Sequence, residues 1–309
     1  MTQELIVFTH CDLDAAACIL NIEYKWPDIK KRYYHTNYSN IPQKVDEIAQ
    51  FVKDTGNHHI LITDVSFSDA KDSMRRLYNI GVVTHIDHHM YPDGFWDEFP
   101  DMKVHYSKEK CAGLLTNEYL GNTGKNKNLD NLTKIIDVYD IWQTKHPAFD
   151  FSQNLNEYFW RTGMEKFCSS IIANNFSLPD DFTEVTNHIN RECEMAVQSY
   201  EERKLIYRSN DITIMFVNDW FNQIMIADMK KGQNFVIGIN SHGIVRVRIR
   251  KESPYTDDQK NALRFALTGS SEYGHLDAFT YKAKQTGNTD VLVKEAEIVV
   301  NEINKVKGS

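Results

Sequence analysis

The first half of the chain alternates short apolar runs with longer segments whose apolar residues recur at helical spacing. The apolar runs predict strands at 4–9, 31–36, 58–64 and 82–86. The segments between them predict helices at 14–26, 42–54 and 68–81. This alternation predicts an α/β fold with a doubly wound, mainly parallel sheet that carries helices on both faces.

The second half of the chain has a different pattern. It is helical from about 108 to 175, and a long polar helix follows at 179–209. Strands are then predicted at 211–217, 223–229, 233–240 and 243–250, and helices near 257–268 and 290–305. We therefore predict an N-terminal domain at 1–178, a linker helix at 179–209 and a smaller α/β domain at 210–309.

Composition fits a globular protein without a membrane segment. Of the 309 residues, 41% are hydrophobic and 25% are charged, and the longest apolar runs are too short to cross a bilayer. The first residues do not have the pattern of a signal peptide. The five cysteines form no C-x-x-C pair, so a reducing, cytoplasmic setting is expected.

The charge balance restricts the class of partner. A formal net charge of −8 argues against a protein that coats long duplex DNA through general electrostatics. A short nucleic acid remains compatible with this balance, because local cations or bound metal ions can hold it.

Polar side chains with metal-binding capacity follow three of the predicted strands. These residues are His10, Asp12 and Asp14 after the first strand, Asp64 after the third, and Asp87, His88 and His89 after the fourth. Parallel sheets place ligands beyond the carboxyl ends of their strands, so these side chains are expected to meet at one edge. Oxygen and imidazole ligands suit Mn²⁺, Mg²⁺ or a similar ion, and their number suits two ions, an arrangement that serves displacement at phosphorus.

Each cluster alone has a simpler interpretation. Asp64 alone is equally well an N-cap, the D-x-D pair is commonly a turn or helix cap, and the two histidines alone would be surface residues. Their joint occurrence at three strand ends favours the metal site.

The order and spacing of "HCDLD", Asp64 and "DHH" resemble the DHH phosphoesterase superfamily. That superfamily includes RecJ-type exonucleases, nanoRNases that degrade very short oligonucleotides, and hydrolases of cyclic di-adenylate. It also needs a later aspartate, for which "DVYDIW" offers Asp137 and Asp140. The resemblance of "YD-x-W" favours Asp140, and Asp137 remains the alternative.

The C-terminal part carries a second resemblance. "SSEYGHLDAF" is similar to the GGHxxA signature of the DHH-associated C-terminal domain, matching at Gly274, His275 and Ala278. The strand "VRVRIR" resembles the segment in which that domain carries an arginine for the substrate phosphate or base. Arg250 fits that position best, and Arg248 lies two residues before it on the same strand face. The resemblance implies an active site in the cleft between the two domains.

The resemblance also implies a role for each residue. His10, Asp12 and Asp64 would hold one metal, and Asp14, Asp64, His88 and Asp140 the other. Mn²⁺ is the preferred ion and Mg²⁺ the alternative. His89 would face the scissile phosphate, and Asp87 would orient a neighbouring histidine. The substrate contacts would be His89, Arg248, Arg250, Gly274 and His275.

The expected function is a metal-dependent phosphodiesterase or exonuclease that hydrolyses short single-stranded oligonucleotides or linear dinucleotides to nucleoside monophosphates. One alternative is a hydrolase of cyclic dinucleotides or related signalling nucleotides. Another is a nucleotide-binding module without turnover. The sequence leaves open cleavage polarity, RNA against DNA preference and the oligomeric state, with a homodimer among the alternatives.

Overall fold

A computed structural model describes residues 4–56, 58–269, 276–283 and 289–308. The chain divides into two compact units, Met1–Asn187 and His188–Ser309, which are described separately below. The boundary falls inside a helix that spans Phe182–Glu202. The placement of the active site in a cleft between two domains stays a prediction.

The N-terminal unit is built from alternating strands and helices. Its strands are β1 (Leu5–Thr9), β2 (Lys31–His35), β3 (His59–Thr63), β4 (Val82–Asp87) and β5 (Lys103–Tyr106). Its helices are α1 (Leu13–Lys25), α2 (Ile41–Thr55), α3 (Lys71–Ile80), α4 (Ala112–Tyr119), α5 (Lys127–Asp140), α6 (Phe149–Thr162), α7 (Met164–Ala173) and the start of α8 (Phe182–Glu202). Short 3₁₀ helices lie at Tyr38–Asn40 and Phe95–Glu98.

These strands form a parallel sheet in the order β2-β1-β3-β4-β5, which confirms the predicted doubly wound fold. The order reverses direction between β1 and β3, because β2 lies on one side of β1 and all later strands on the other. Open parallel sheets bind ligands at such a reversal, beyond the carboxyl ends of the strands. The residues after β1 and β3 therefore occupy the position where a site is expected.

Both faces of this sheet are buried, because successive side chains of a strand point to opposite sides. On one face Ile6 and Phe8 of β1 join a core that includes Ile48 of α2 and Leu77 of α3. On the other face Val7 joins a core with residues of α1 and α4. The two apolar layers fix the sheet and hence the edge at which its strands end.

The C-terminal unit contains a mixed sheet in the order β10-β9-β8-β7-β6. Its strands are β6 (Ile206–Arg208), β7 (Ile212–Phe216), β8 (Phe235–Ile239), β9 (Ile244–Ile249) and β10 (Ala278–Lys282). Its helices are α9 (Phe221–Lys230), α10 (Asp257–Thr268) and α11 (Thr289–Lys307). Only β7 and β8 pair in parallel, and the other neighbours are antiparallel.

Several predicted elements of the second half differ from the structure. The strand predicted at 223–229 is wrong, since these residues lie in helix α9. Two parallel neighbours such as β7 and β8 need a crossover connection, usually a helix, and α9 supplies it. The helix predicted at 179–209 ends earlier, at Glu202, and residues 206–208 form the edge strand β6. The short strands β5 and β10 were not predicted.

Within the described residues, none of the helices combines the length and the apolar character that crossing a membrane requires.

The substitution Gly238→Ala is expected to destabilise the C-terminal unit. A Cβ atom at Gly238 in β8 would lie 2.3 Å from Cδ2 of Phe221, whose aromatic ring anchors α9 on the sheet. Overpacking of this kind typically costs about 1–3 kcal/mol, to be measured as the free energy of unfolding in urea. Gly308→Ala is the control, because its nearest neighbour would be 3.7 Å from the added Cβ. Equal stability of both variants would contradict the packing argument.

Candidate metal centre

The residues after β1 combine helix capping with a histidine contact. Asp12 is the N-cap of α1, and its Oδ1 accepts a hydrogen bond from the backbone N–H of Ala15 at 3.0 Å. Its Oδ2 accepts from Nδ1 of His10 at 2.7 Å. Burial alone would raise the pKa of Asp12, but the bonds from His10 and Ala15 outweigh burial and hold that pKa well below its usual range. The cap and the ligand interpretations of Asp12 are therefore compatible.

Asp14 lies in the first turn of α1 and points at the start of another helix. Its two carboxylate oxygens accept backbone hydrogen bonds from Ala112 at 2.7 Å and Gly113 at 2.8 Å. A Cβ at Gly113 would lie 2.4 Å from the Cβ of Ala17 and 2.9 Å from Oδ1 of Asp14, so only glycine permits this approach. The N-terminus of α4, a favourable place for negative charge, therefore fixes Asp14.

Asp64 follows β3 in an unusual backbone conformation. Its φ of 56° lies in the left-handed region, which asparagine and aspartate tolerate better than other non-glycine residues. Its backbone N–H donates to the carbonyl of Ile86 at 3.1 Å, and the residue is 2% exposed. Burial, followed by the charges of Asp12 and Asp14, raises the pKa of Asp64 well above its usual value.

His88 is surrounded by carboxylates. Its Nε2 lies 3.4 Å from Oδ2 of Asp140, 3.5 Å from Oδ1 of Asp64 and 3.8 Å from Oδ2 of Asp14. Burial lowers the pKa of His88, but Asp140 and Asp14 outweigh burial and raise that pKa above its usual value. One imidazole nitrogen therefore faces carboxylates from α1, the end of β3 and α5.

The structure places Asp137 and Asp140 differently, although both belong to the last turn of α5. Asp137 accepts hydrogen bonds from the backbone N–H of Cys111 at 2.7 Å and from Nε2 of Gln143 at 3.3 Å. Asp140 instead lies against His88. Asp140 remains the proposed ligand, and Asp137 has a structural role that ties α5 to the start of α4.

These side chains form what we call the carboxylate–histidine cluster, which consists of His10, Asp12, Asp14, Asp64, His88 and Asp140. Ligand atoms of His10, Asp12 and Asp64 lie within 4.8 Å of one another, and so do those of Asp14, His88 and Asp140. A third such group contains Asp64, Asp87, His88 and His89. The six residues predicted as ligands are thus brought together, and their role in metal binding remains a prediction.

The chemistry of the cluster suits divalent cations. In the described part of the chain, no group donates a hydrogen bond to the buried Oδ2 atoms of Asp64 and Asp140. Burial and neighbouring carboxylates raise the pKa values of Asp14, Asp64 and Asp140. Buried carboxylates are costly unless cations compensate them, and the single imidazole of His88 faces all three. Oxygen and imidazole donors without thiolate favour a hard or borderline ion such as Mg²⁺ or Mn²⁺.

Asp87 lies behind the cluster and supports the two histidines that follow it. Its Oδ1 accepts from the backbone N–H of His88 at 2.8 Å and from Nδ1 of His89 at 2.7 Å, and its Oδ2 accepts from the hydroxyl of Tyr91. The fully buried His85 lies 3.8 Å from the same carboxylate. Burial would raise the pKa of Asp87, but the contact with His89 outweighs it and holds the pKa below its usual range.

Sequence reasoning missed several residues of this site. Tyr38 places its hydroxyl 2.8 Å from Nε2 of His89, and Tyr91 and His85 hold Asp87. His85 and Tyr91 flank the "DHH" motif, so their closeness in sequence was a usable signal. Tyr38 follows a different strand, so nothing in the sequence indicated that it lies near His89.

The predicted substrate residues of the C-terminal unit are only partly described. Arg248 donates to the backbone carbonyl of Val247 at 3.0 Å, and its guanidinium lies 5.7 Å from the ring centre of Phe221. Arg250 follows β9 and donates from Nε to Oδ1 of Asn234 at 3.0 Å. Gly274 and His275 lie outside the described residues. Their role as substrate contacts stays a prediction.

The chain shares its fold with several solved structures, and this fold agrees with the predicted α/β class. No protein-family model matches the chain, and no curated protein matches it. An exopolyphosphatase-related protein from Bacteroides fragilis is 12% identical, with a TM-score of 0.59, over 98% of this chain and 94% of its own.

Two further solved structures share this fold. Exonuclease RecJ bound to manganese is 12% identical, with a TM-score of 0.56, over 97% of this chain and 90% of its own. The pGpG-specific phosphodiesterase PggH from Vibrio cholerae is 12% identical, with a TM-score of 0.50, over 96% of this chain and 98% of its own. At such identities the likeness establishes the fold alone.

The substitution Asp64→Asn is expected to stabilise the metal-free protein. Because the pKa of Asp64 is raised in the folded state, the folded protein holds this proton more tightly than the unfolded chain does. The tighter binding of this proton contributes to the free energy of unfolding at low pH. The contribution falls as pH rises from the ordinary pKa of aspartate through the raised one. Asparagine removes the charge and tolerates the left-handed backbone, so a gain of about 1 kcal/mol or more is expected at pH 7.

The free energy of unfolding is measured in urea at pH 4 and pH 7 with a chelator present. The measurement is then repeated with Mn²⁺ in place of the chelator. Added Mn²⁺ should stabilise the wild type and leave Asp64→Asn unchanged. Asp64→Ala is the control for backbone strain, because alanine lacks the side chain that eases the left-handed conformation. A metal-free Asp64→Asn variant less stable than the wild type at pH 7 would contradict the charge argument.

Asp140→Asn and Asp137→Asn form a matched pair on one helix turn. Asp140→Asn should weaken Mn²⁺ binding by at least about tenfold, since it removes a charged ligand beside His88. Asp137→Asn should mainly lower the free energy of unfolding, because it weakens the acceptor of the buried Cys111 N–H. Titration calorimetry with Mn²⁺ and urea unfolding separate the two effects, and the reverse result would assign the ligand to Asp137.

Proposed function

We propose that this protein is a divalent-metal-dependent phosphodiesterase that hydrolyses short single-stranded oligonucleotides or linear dinucleotides to nucleoside monophosphates. The observation that carries the proposal is the carboxylate–histidine cluster at the point where the order of the parallel sheet reverses. Two of its buried carboxylate oxygens accept no hydrogen bond from any described residue.

Two divalent ions would be held by overlapping sets of these residues. His10, Asp12 and Asp64 would hold one, and Asp14, Asp64, His88 and Asp140 the other, with Asp64 shared. Such ions, when bound, lower the pKa of water and stabilise negative charge that develops at phosphorus. Mn²⁺ is the preferred ion and Mg²⁺ the alternative, and solved RecJ structures hold either ion.

The protein's own residues would position the phosphate. His89 lies beside the cluster and shares one group of potential ligands with Asp64 and His88. This position supports a contact between Nε2 of His89 and a phosphate oxygen, which would replace the bond between Nε2 and the hydroxyl of Tyr38. Asp87 accepts from Nδ1 of His89 and thereby fixes the orientation of its ring. Arg248, Arg250, Gly274 and His275 are proposed as further contacts to the substrate's phosphate or base.

The substrate class is supported by charge and by the compared proteins. A net charge of −8 disfavours long duplex DNA, whereas a short strand needs few contacts. The compared proteins include an exonuclease and a phosphodiesterase specific for pGpG. None of the three is named for a cyclic dinucleotide, so a linear substrate is preferred.

The test is product analysis by chromatography after incubation with Mn²⁺. Linear di-adenylate should yield adenosine monophosphate, and chelation of the metal or the Asp64→Asn substitution should lower the rate by at least about a thousandfold. Parallel incubations contain cyclic di-adenylate, a long single strand and inorganic tripolyphosphate, each expected to react far more slowly.

The remaining outcomes are each decisive. Preferential cleavage of the cyclic dinucleotide, of the long strand or of tripolyphosphate would replace the proposed substrate by that one. Binding of the dinucleotide without any product would identify a nucleotide-binding module instead of an enzyme.

A further inference from the structure

Tyr38 occupies a position that the proposed mechanism does not use. Its hydroxyl lies 2.8 Å from Nε2 of His89, and its ring centre lies 5.4 Å from the ring centre of His10 and 6.0 Å from that of His89. The two histidines follow different strands, so Tyr38 connects the end of β1 to the end of β4. Although it touches both, the residue is 50% exposed.

The backbone that carries Tyr38 is held in place by hydrogen bonds. The side chain of Asn40 accepts from the backbone N–H of Asn37 and from the hydroxyl of Thr36, both at 2.7 Å. The backbone N–H of Thr36 donates to the carbonyl of Thr9 at the end of β1. The 3₁₀ helix Tyr38–Asn40 is thus tied to the sheet, and the position of Tyr38 is set by the fold.

We propose that Tyr38 is a specificity-determining residue whose ring stacks against the nucleobase next to the scissile phosphate. This inference rests on the proposed function for its class of ligand. In the free protein the hydroxyl bonds to Nε2 of His89, so the fold sets the ring beside the residue proposed to contact the phosphate. The exposed half of the side chain then offers an aromatic surface at the edge of the cluster.

A surface of this kind distinguishes nucleotides from phosphates without a base. Stacking of a base on an aromatic side chain contributes about 1–3 kcal/mol and tolerates any base, because every base has a π face. An inorganic polyphosphate gains nothing from such a ring. Tyr38 would therefore favour nucleotide substrates over inorganic ones without selecting a base sequence.

The experiment compares the affinities of two ligands by titration calorimetry in the presence of Mn²⁺. Ribose 5-phosphate carries a hydroxyl at C1 where adenosine 5′-monophosphate carries the base, so the ratio of their dissociation constants reports mainly the contribution of the base. The ratio is measured for the wild type, Tyr38→Leu and Tyr38→Phe. Leucine keeps apolar bulk without a π face, and phenylalanine keeps the ring and loses only the hydroxyl.

The wild type should bind the nucleotide roughly 5- to 150-fold more tightly than ribose 5-phosphate. Tyr38→Phe should keep this ratio within about threefold, even if both affinities change because the contact with His89 is lost. Tyr38→Leu should reduce the ratio to within about threefold of one. Tyr119→Leu is the control, since Tyr119 is 37% exposed in the same unit and contacts His105 instead of the cluster.

The contrary outcomes are distinct from a failure of the proposed function. No preference for the nucleotide in the wild type, or an unchanged ratio in Tyr38→Leu, would overturn the inference. If both affinities fall equally in Tyr38→Leu, the ratio is also unchanged, and Tyr38 would then act only through His89. If the wild type hydrolyses no dinucleotide but the ratio depends on Tyr38, the proposed function fails and the inference stands.

Discussion

The repulsion between carboxylates at one edge of the parallel sheet is the constraint on which the N-terminal unit depends. Asp12, Asp14, Asp64 and Asp140 converge there in surroundings that exclude much of the water. The fold compensates two of them: His10 and the cap of α1 stabilise Asp12, and the start of α4 stabilises Asp14. Asp64 and Asp140 both face the single imidazole of His88, and the excess of negative charge there defines where a cation is needed.

The packing of α4 and α5 also helps to position the cluster. Cys111 is the N-cap of α4, and its backbone N–H is bound by Asp137, one turn before Asp140. One turn of α5 therefore holds α4 in place with one carboxylate and reaches the cluster with the other. Since α4 in turn fixes Asp14, the last turn of α5 helps to position both Asp14 and Asp140 around His88. The protein positions the side chains of the cluster through contacts between elements far apart in the sequence.

The sequence allowed prediction of those features that depend on local pattern. The strands β1, β3 and β4 and the polar residues after them follow from apolar runs that end in ligand-type side chains. The bonds from Ala112 and Gly113 to Asp14 could not be predicted, because almost a hundred residues separate the partners. Helix α9 was predicted as a strand because its short apolar run of isoleucine and methionine is typical of a strand. The segment is helical because the parallel strands β7 and β8 need a crossover connection between them. The brief edge strands β5 and β6 carry too few residues for a periodic signal.

The left-handed backbone of Asp64 has an evolutionary consequence. Among side chains that carry a Cβ, aspartate and asparagine are the ones that best adopt this conformation, and their codons differ by a single base. One transition in the gene would thus exchange the proposed shared ligand for a neutral amide without backbone strain. If the proposed function holds, a descendant of this protein that retains the fold without the chemistry is one mutational step away, and such a lineage would be free to keep the scaffold for binding alone.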